Sequence, residues 1–237
     1  MMTSDPANFR PVLTVAGLRL GILAILPVLP GVTVFSMVVG ATMAQKGLAF
    51  THSLLMNAFV YAGFSQLVAM EAWPDALDIG ALLTLALIAV TINARMLLVG
   101  ASLQPWLRTL PAWQSYPLML LNTDVGWITA MRYRQEGGND VGFLVGGGIV
   151  LWLLWMTATT AGYWFGALIA NPRAIALDLV MPVFFGTMLI PLWRGYRRAI
   201  GWVIAGAVAF AIHALFGGWW FIVVGALVGA AAEGWRE

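Results

Sequence analysis

Cysteine is absent from all 237 residues, which excludes disulfides, thiolate catalysis and cysteine metal sites. Charge is scarce. Asp, Glu, Lys and Arg make up 9% of the chain, against roughly 25% in an average soluble protein. A solvated globular surface cannot be made from so few charges. Catalytic signatures are missing too: no H-E-x-x-H, G-x-S-x-G, Walker or paired-carboxylate pattern appears. The sequence therefore predicts no enzyme, no cofactor and no resident metal, and no means of powering work with ATP by itself. Met1 to Arg10 is polar and lacks the apolar core of a signal peptide, so no cleaved leader is expected. The net charge of +2 does not predict a nucleic-acid partner, because membrane topology accounts better for the arginines.

What is present is apolar. Hydrophobic residues make up 61%, and the mean hydropathy is +0.88. Several runs exceed the ~18 residues needed to span a bilayer, and they are continuous rather than alternating. The expectation is an all-α, polytopic integral membrane protein, with one transmembrane domain over 1–237 and residues 1–16 as a cytoplasmic segment. The spans read as Leu20 to Gln45, Gly47 to Met70, Ile79 to Leu103, Pro111 to Met131, Val141 to Ala170 and Leu177 to Trp193. A last run, Ile200 to Ala232, is divided at Gly217-Gly218. That gives about seven to eight membrane helices. With a cytoplasmic N-terminus, the inside carries Arg10, Arg19, Arg132, Arg134, Arg194, Arg197, Arg198 and Arg236. The outside carries Lys46, Arg108 and Arg173, a positive-inside bias of eight to three. Gly146-Gly147-Gly148 reads as a flexible opening to the fifth span. Trp152, Trp155 and Trp164 fall away from span ends and read as packing residues, and His213 as a core histidine.

Arg95, in Asn93-Ala94-Arg95, interrupts the third run with a charge at membrane depth. Its guanidinium cannot shed a proton, and a charge at the bilayer centre costs roughly 2.5–3.5 kcal/mol on insertion scales. It calls for a polar interior and an anionic group, either a substrate carboxylate or an Asp of this chain. Snorkelling or a purely structural ion pair is the plainer account. Pro27-Val28-Leu29-Pro30-Gly31 should break the first helix near mid-membrane. Such breaks are either packing kinks or half-helix binding sites. Gln66 needs hydrogen-bond partners at depth and either ties helices together or meets a ligand. On a continuous helix, Asn57 faces roughly away from it. Asp124 would be protonated or paired, which suits a proton relay, a substrate ammonium or an ion pair with Arg95. Asp178 opens the sixth span, where capping alone explains a carboxylate.

Taken together, these features resemble the AzlC family of branched-chain amino acid exporters, from about Gly17 to Phe185. The carriers are Pro30-Gly31 with Phe35 and Gly40, Phe59-Val60-Tyr61-Ala62-Gly63-Phe64-Ser65-Gln66, Asn93-Ala94-Arg95 before Gly100-Ala101-Ser102, Thr123-Asp124, and Ala176-Leu177-Asp178-Leu179 before Phe184. The chain departs from the family at Val34 and Ser36, which flank Phe35, at Val99, and at Val125, where the family commonly has an acid. The resemblance implies a multi-pass bacterial inner-membrane permease that exports small neutral amino acids. It also implies a small membrane partner of the AzlD type. On this reading Arg95, Asn93, Gln66, Tyr61, Phe64, Pro30 and Gly31 contact substrate, while Asp124 and Asp178 take the proton or the ammonium. Two alternatives stand beside it: a non-pumping substrate-binding subunit and a passive channel.

Overall fold

In a bilayer every backbone polar group must be paired within the protein, and a helix does this inside one segment. The computed structural model describes residues 12–74, 78–108, 110–166, 195–217 and 220–235, with Val183, Gly186, Ile190 and Trp193. In chain order the helices are α1 (Val15–Ile25), a 3₁₀ turn (Leu26–Val28), α2 (Leu29–Gln45), α3 (Phe50–Phe59), α4 (Gly63–Glu71), α5 (Ile79–Asn93) and α6 (Arg95–Leu107). Then follow α7 (Ala112–Leu120), α8 (Asp124–Gln135), α9 (Gly142–Gly166), α10 (Tyr196–Phe216) and α11 (Trp220–Gly234). Asp178 and Pro182 lie outside the described residues. The chain forms two compact units, Met1–Leu67 with Ala94–Ala170, and Val68–Asn93 with Asn171–Glu237.

The first unit is built on α9, which runs parallel to α1 and α2. Small residues let the backbones touch, and van der Waals packing of this kind drives helix association in lipid. A Cβ on Gly21 would strike the Phe143 carbonyl, one on Gly40 the Thr159 carbonyl, and one on Gly162 the Met37 carbonyl. Gly146 lies equally close to the Leu18 carbonyl. The glycines expected to be flexible are therefore close-packing positions near the start of α9. At the Pro27 interruption the helix tightens rather than unwinds. Leu26, Val28 and Leu29 all keep right-handed helical backbones across the 3₁₀ turn.

Asp140 locks the start of this pair. Val12 and Asp140 form a parallel bridge, with the Val141 N–H donating to the Val12 carbonyl at 2.8 Å. The Asp140 carboxylate accepts from the Thr14 N–H at 3.1 Å, the Gly142 N–H at 2.8 Å and the Thr14 hydroxyl. Partial desolvation works against its charge. These hydrogen bonds, with the Gly17 N–H, outweigh that effect and hold the carboxyl below the usual range.

The second and fourth apolar runs each turn back within the run. α6 and α8 lie side by side and parallel. Arg95 meets Asp124 at their starts. Further along, the Trp127 indole donates to the Ser102 hydroxyl at 2.8 Å. At their ends, the Trp106 indole donates to the Asn139 carbonyl at 3.2 Å. Only residues 108–111 separate α6 from α7, so α7 starts level with the end of α8. The chain enters on α7, turns at Leu121–Thr123 and returns on α8.

α3 enters from the other end of the unit. Phe50 packs on Tyr163 at 5.4 Å, near the C-terminus of α9, and the Ala58 carbonyl accepts from the Trp152 indole at 3.5 Å. A straight continuation would separate Met56 from Gln66 by about 15 Å. Instead the Gln66 amide donates to the Met56 carbonyl at 3.1 Å and to Asn57 Oδ1 at 3.3 Å. The chain turns back at Val60–Ala62, where Tyr61 has φ +44°. Asn57 therefore faces Gln66, contrary to the continuous-helix expectation.

In the second unit α10 and α11 form an antiparallel pair. Gly201 and Ala205 of α10 pack on Gly225 and Gly229 of α11. Gly217, at φ +63°, ends α10, as the glycine pair predicts. His213 is exposed and edge-on to Phe221 at 5.0 Å, so it is not a core histidine. Among the described residues, four helical stretches are long and apolar enough to cross a membrane: Val15–Gln45, Ile79–Leu107, Gly142–Gly166 and Ala199–Phe216. Seven to eight crossings are not shown among the described residues.

Candidate functional site

The two hairpin turns and the middle of the Ile79–Leu107 stretch converge on Arg95. It is the first residue of α6, just after Ala94, which keeps a right-handed helical backbone between α5 and α6. Its Nη2 pairs with Asp124 Oδ2 at 2.9 Å, and its guanidinium lies 5.9 Å from the centre of the Phe64 ring. Asp124 opens α8 behind a Thr123 cap, whose hydroxyl accepts from the Gly126 N–H at 3.1 Å. The carboxylate thus sits at a helix start, where the dipole favours it. One arginine therefore holds the tips of two hairpins that enter from opposite ends of the unit. The pair is not sealed: the side chains are 39% and 30% exposed.

The turn at Val60–Ala62 is set in aromatic packing. Trp155 is buried on α9 and packs against Phe35 at 6.0 Å and edge-on to Tyr61 at 5.8 Å. A side chain on Gly63 would collide with both Trp155 and Phe35, so only glycine fits. Gln66 lies two residues beyond Phe64, on the opposite side of α4, and is tied to α3 rather than to Arg95. Pro30 and Gly31 are exposed in the first turn of α2 and take no part in the Arg95 contacts. Asn93 closes α5 and belongs to the other unit.

The buried side-chain atoms that lack a hydrogen-bond partner are concentrated at these interruptions. In the first unit, among the described residues, they are Gln66 Oε1, Arg95 Nε, Asn122 Oδ1 and Trp155 Nε1. Three belong to residues at or just after a helix interruption, and the fourth to the tryptophan packed on Tyr61. Asn122 also lines a cavity with room for about one water, between the α7–α8 turn and Gly147-Gly148 of α9. Orphan polar atoms are costly in a dry interior, so each of these atoms calls for a partner that the chain itself does not supply. Sequence reasoning missed Asn122. Trp155 reads from the sequence as a packing residue, and it is buried against Phe35 and Tyr61. Asn122 was visible as the residue before a Thr-Asp helix start.

Long apolar helices, with interrupted ends that meet at an ion pair, are the build of a membrane protein. The chain belongs to the AzlC family: the family model described as AzlC protein matches residues 27–169, more than half of its length. This is a transport-associated family of membrane proteins. No curated protein and no solved structure matches the chain.

Proposed function

We propose that this chain is a secondary transporter that exports small neutral amino acids, branched-chain ones among them, across the bacterial inner membrane. An ion gradient or the membrane potential drives it, and a small AzlD-type membrane protein completes it. One observation carries the reading. Arg95 joins both hairpin tips and still has a buried, unspent donor at Nε. A substrate carboxylate can take that donor, and Asp124, once displaced, can receive the ammonium or a proton. Tyr61 and Phe64 offer apolar surface beside it, and Gln66 fixes the turn that presents them. Asp178 stays a candidate for the same proton or ammonium.

The hairpins also improve the topology. With a cytoplasmic N-terminus, α1–α2 leads out, α5–α6 leads in and α9 leads out again. With the run 177–193 taken as the crossing that the sequence predicts, and α10 and α11 crossing once each, Arg108 joins Arg10, Arg19, Arg132, Arg134, Arg194, Arg197, Arg198 and Arg236 inside. Only Lys46 and Arg173 lie outside, so the bias rises to nine against two. Glu71, Asp75 and Asp78 fall outside with them. This makes about six crossings and two re-entrant hairpins in one permease domain over 1–237, with 1–16 in the cytoplasm.

The test is efflux of preloaded, labelled valine and methionine from bacterial cells expressing the chain with and without a cognate small partner. Saturable efflux that needs the partner and is lost in Arg95→Ala is the expected result. Wild-type flux in Arg95→Ala, with the protein shown in the membrane, would remove Arg95 from the mechanism. Unsaturable flux would make the chain a channel.

A further inference from the structure

At the α7–α8 turn an orphan polar atom coincides with a cavity. Asn122 Oδ1 is buried without a hydrogen-bond partner, and Asn122 lines the cavity beside Leu118, Phe143, Leu144 and the Gly147-Gly148 pair of α9. The lining holds no spare donor for it. Thr129, the other polar side chain there, spends its hydroxyl hydrogen on the Val125 and Gly126 carbonyls of its own helix. A second acceptor lies at the same turn. The Leu121 carbonyl follows the end of α7, so no later turn of that helix supplies a donor, and among the described residues no other backbone N–H does. It faces Gly148, where a Cβ would lie 3.2 Å from its oxygen.

Gly126 of α8 also borders this cavity, and neither backbone nor packing calls for a glycine there. It lies within a regular helix, which favours alanine over glycine. A Cβ would meet Thr123 Oγ1 at 3.4 Å, Asn122 Oδ1 at 3.5 Å and Leu151 Cδ1 at 3.8 Å, all ordinary contacts that force no shift. What a methyl would do is cover Asn122 Oδ1. We propose that the cavity is a binding site for one water molecule, which donates to Asn122 Oδ1 and to the Leu121 carbonyl, and that Gly126 is the positioning residue that keeps the site open. Two acceptors match the two hydrogens of water, and two polar partners are the least that a buried water needs. Turning the Asn122 amide over would place a donor there instead, which water also satisfies. The site has no room for an amino acid, and neither Arg95 nor Asp124 lines it. It therefore does not depend on the transport reading, and occupancy is read on the resting chain.

The experiment is X-ray hydroxyl-radical footprinting of the purified full-length protein, in which radicals formed from waters already in place oxidise the side chains beside them. Leu144 lines the cavity and Leu107 does not, although they are 7% and 5% exposed. Leu144 should be oxidised severalfold faster than Leu107, and Gly126→Ala should bring the two rates together. Equal rates in the wild-type chain mean a dry cavity and overturn the proposal. A difference that survives Gly126→Ala overturns the role of Gly126. Thermal unfolding gives an independent readout. A methyl at 126 strands Asn122 Oδ1 in the wild-type chain but only fills space in Asn122→Ala. The change that Gly126→Ala makes to the melting temperature should therefore be more favourable by at least about 2 °C in Asn122→Ala than in wild type. The same change in both backgrounds overturns the bond to Asn122. Should Asn122→Ala fail to fold, footprinting of the wild type and Gly126→Ala decides alone. Loss of efflux in Arg95→Ala does not bear on any of these outcomes.

Discussion

Arg108 offers the sharpest test of the fold, because the two readings of residues 111–131 put it on opposite sides of the membrane. α7 has 9 residues and α8 has 12. End to end they would reach about 32 Å, enough to cross a ~30 Å hydrocarbon core. Folded back on each other they reach only about 18 Å, and both ends stay on one side. Length and composition therefore cannot choose between the readings, but packing does. The Arg134 guanidinium lies 5.1 Å from the centre of the Trp106 ring, and the Trp106 and Tyr133 rings are 6.3 Å apart. A full crossing would separate those residues by roughly the thickness of the bilayer. The chain has no cysteine, so single cysteines can be introduced without a background. Arg108→Cys, Glu136→Cys and Lys46→Cys each replace an exposed residue. A membrane-impermeant maleimide applied to right-side-out and inverted vesicles should label positions 108 and 136 from one face and 46 from the other. Labelling of position 108 from the same face as 46 would refute the hairpin, and with it the parallel packing of α6 on α8.

Three further outcomes follow from the packing and the charges. Gly40→Ala, which drives a methyl into the Thr159 carbonyl, should destabilise by about 1–3 kcal/mol, whereas Gly100→Ala, with open space around it, should change stability by no more than about 0.5 kcal/mol. Thermal or denaturant unfolding in detergent reads both, and equal effects would mean that the glycine contacts between α2 and α9 are not tight. A double-mutant cycle over Arg95→Gln and Asp124→Asn should give a coupling of about 1–3 kcal/mol, since the pair is close but about a third exposed; a coupling near zero would show that the two charges do not act together. Asp140 titrates below the usual carboxylate range, so its stabilisation is complete above the unfolded value of about 3.9 and is lost as pH falls through the folded value. Wild-type melting temperature should therefore drop in acid below about pH 4, and Asp140→Asn should melt lower at neutral pH and lack that step; a variant whose acid limb matches wild type would show that another carboxylate is responsible.

Hydropathy made the class and most helix positions legible, because bilayer solvation acts on every residue of a run and leaves a signal that long. Arg95 and Asp124 were legible as an expensive charge and its natural counter-charge, and the structure joins them. The direction of the chain within a run was not. A charge-free stretch such as 47–70 fixes how much apolar chain there is, not whether it crosses or turns back. The turn at Tyr61 carries no proline, and its glycine comes only at Gly63, where Trp155 and Phe35 require it for packing. The reading of Asn57 and Gln66 as facing apart failed for the same reason: nine residues set an angle only along an unbroken helix. At the other hairpin a signal was available. Asn122-Thr123-Asp124 is a helix start, and its Thr123 cap forms as such a sequence predicts. A cap in the middle of an apolar run means that a helix begins there, and therefore that another has just ended. Pro27-Pro30-Gly31 shows the converse: with right-handed backbone kept through the 3₁₀ turn, strong breakers bend the helix without ending it. In this chain, a residue that starts a helix marks an interruption better than residues that disfavour one.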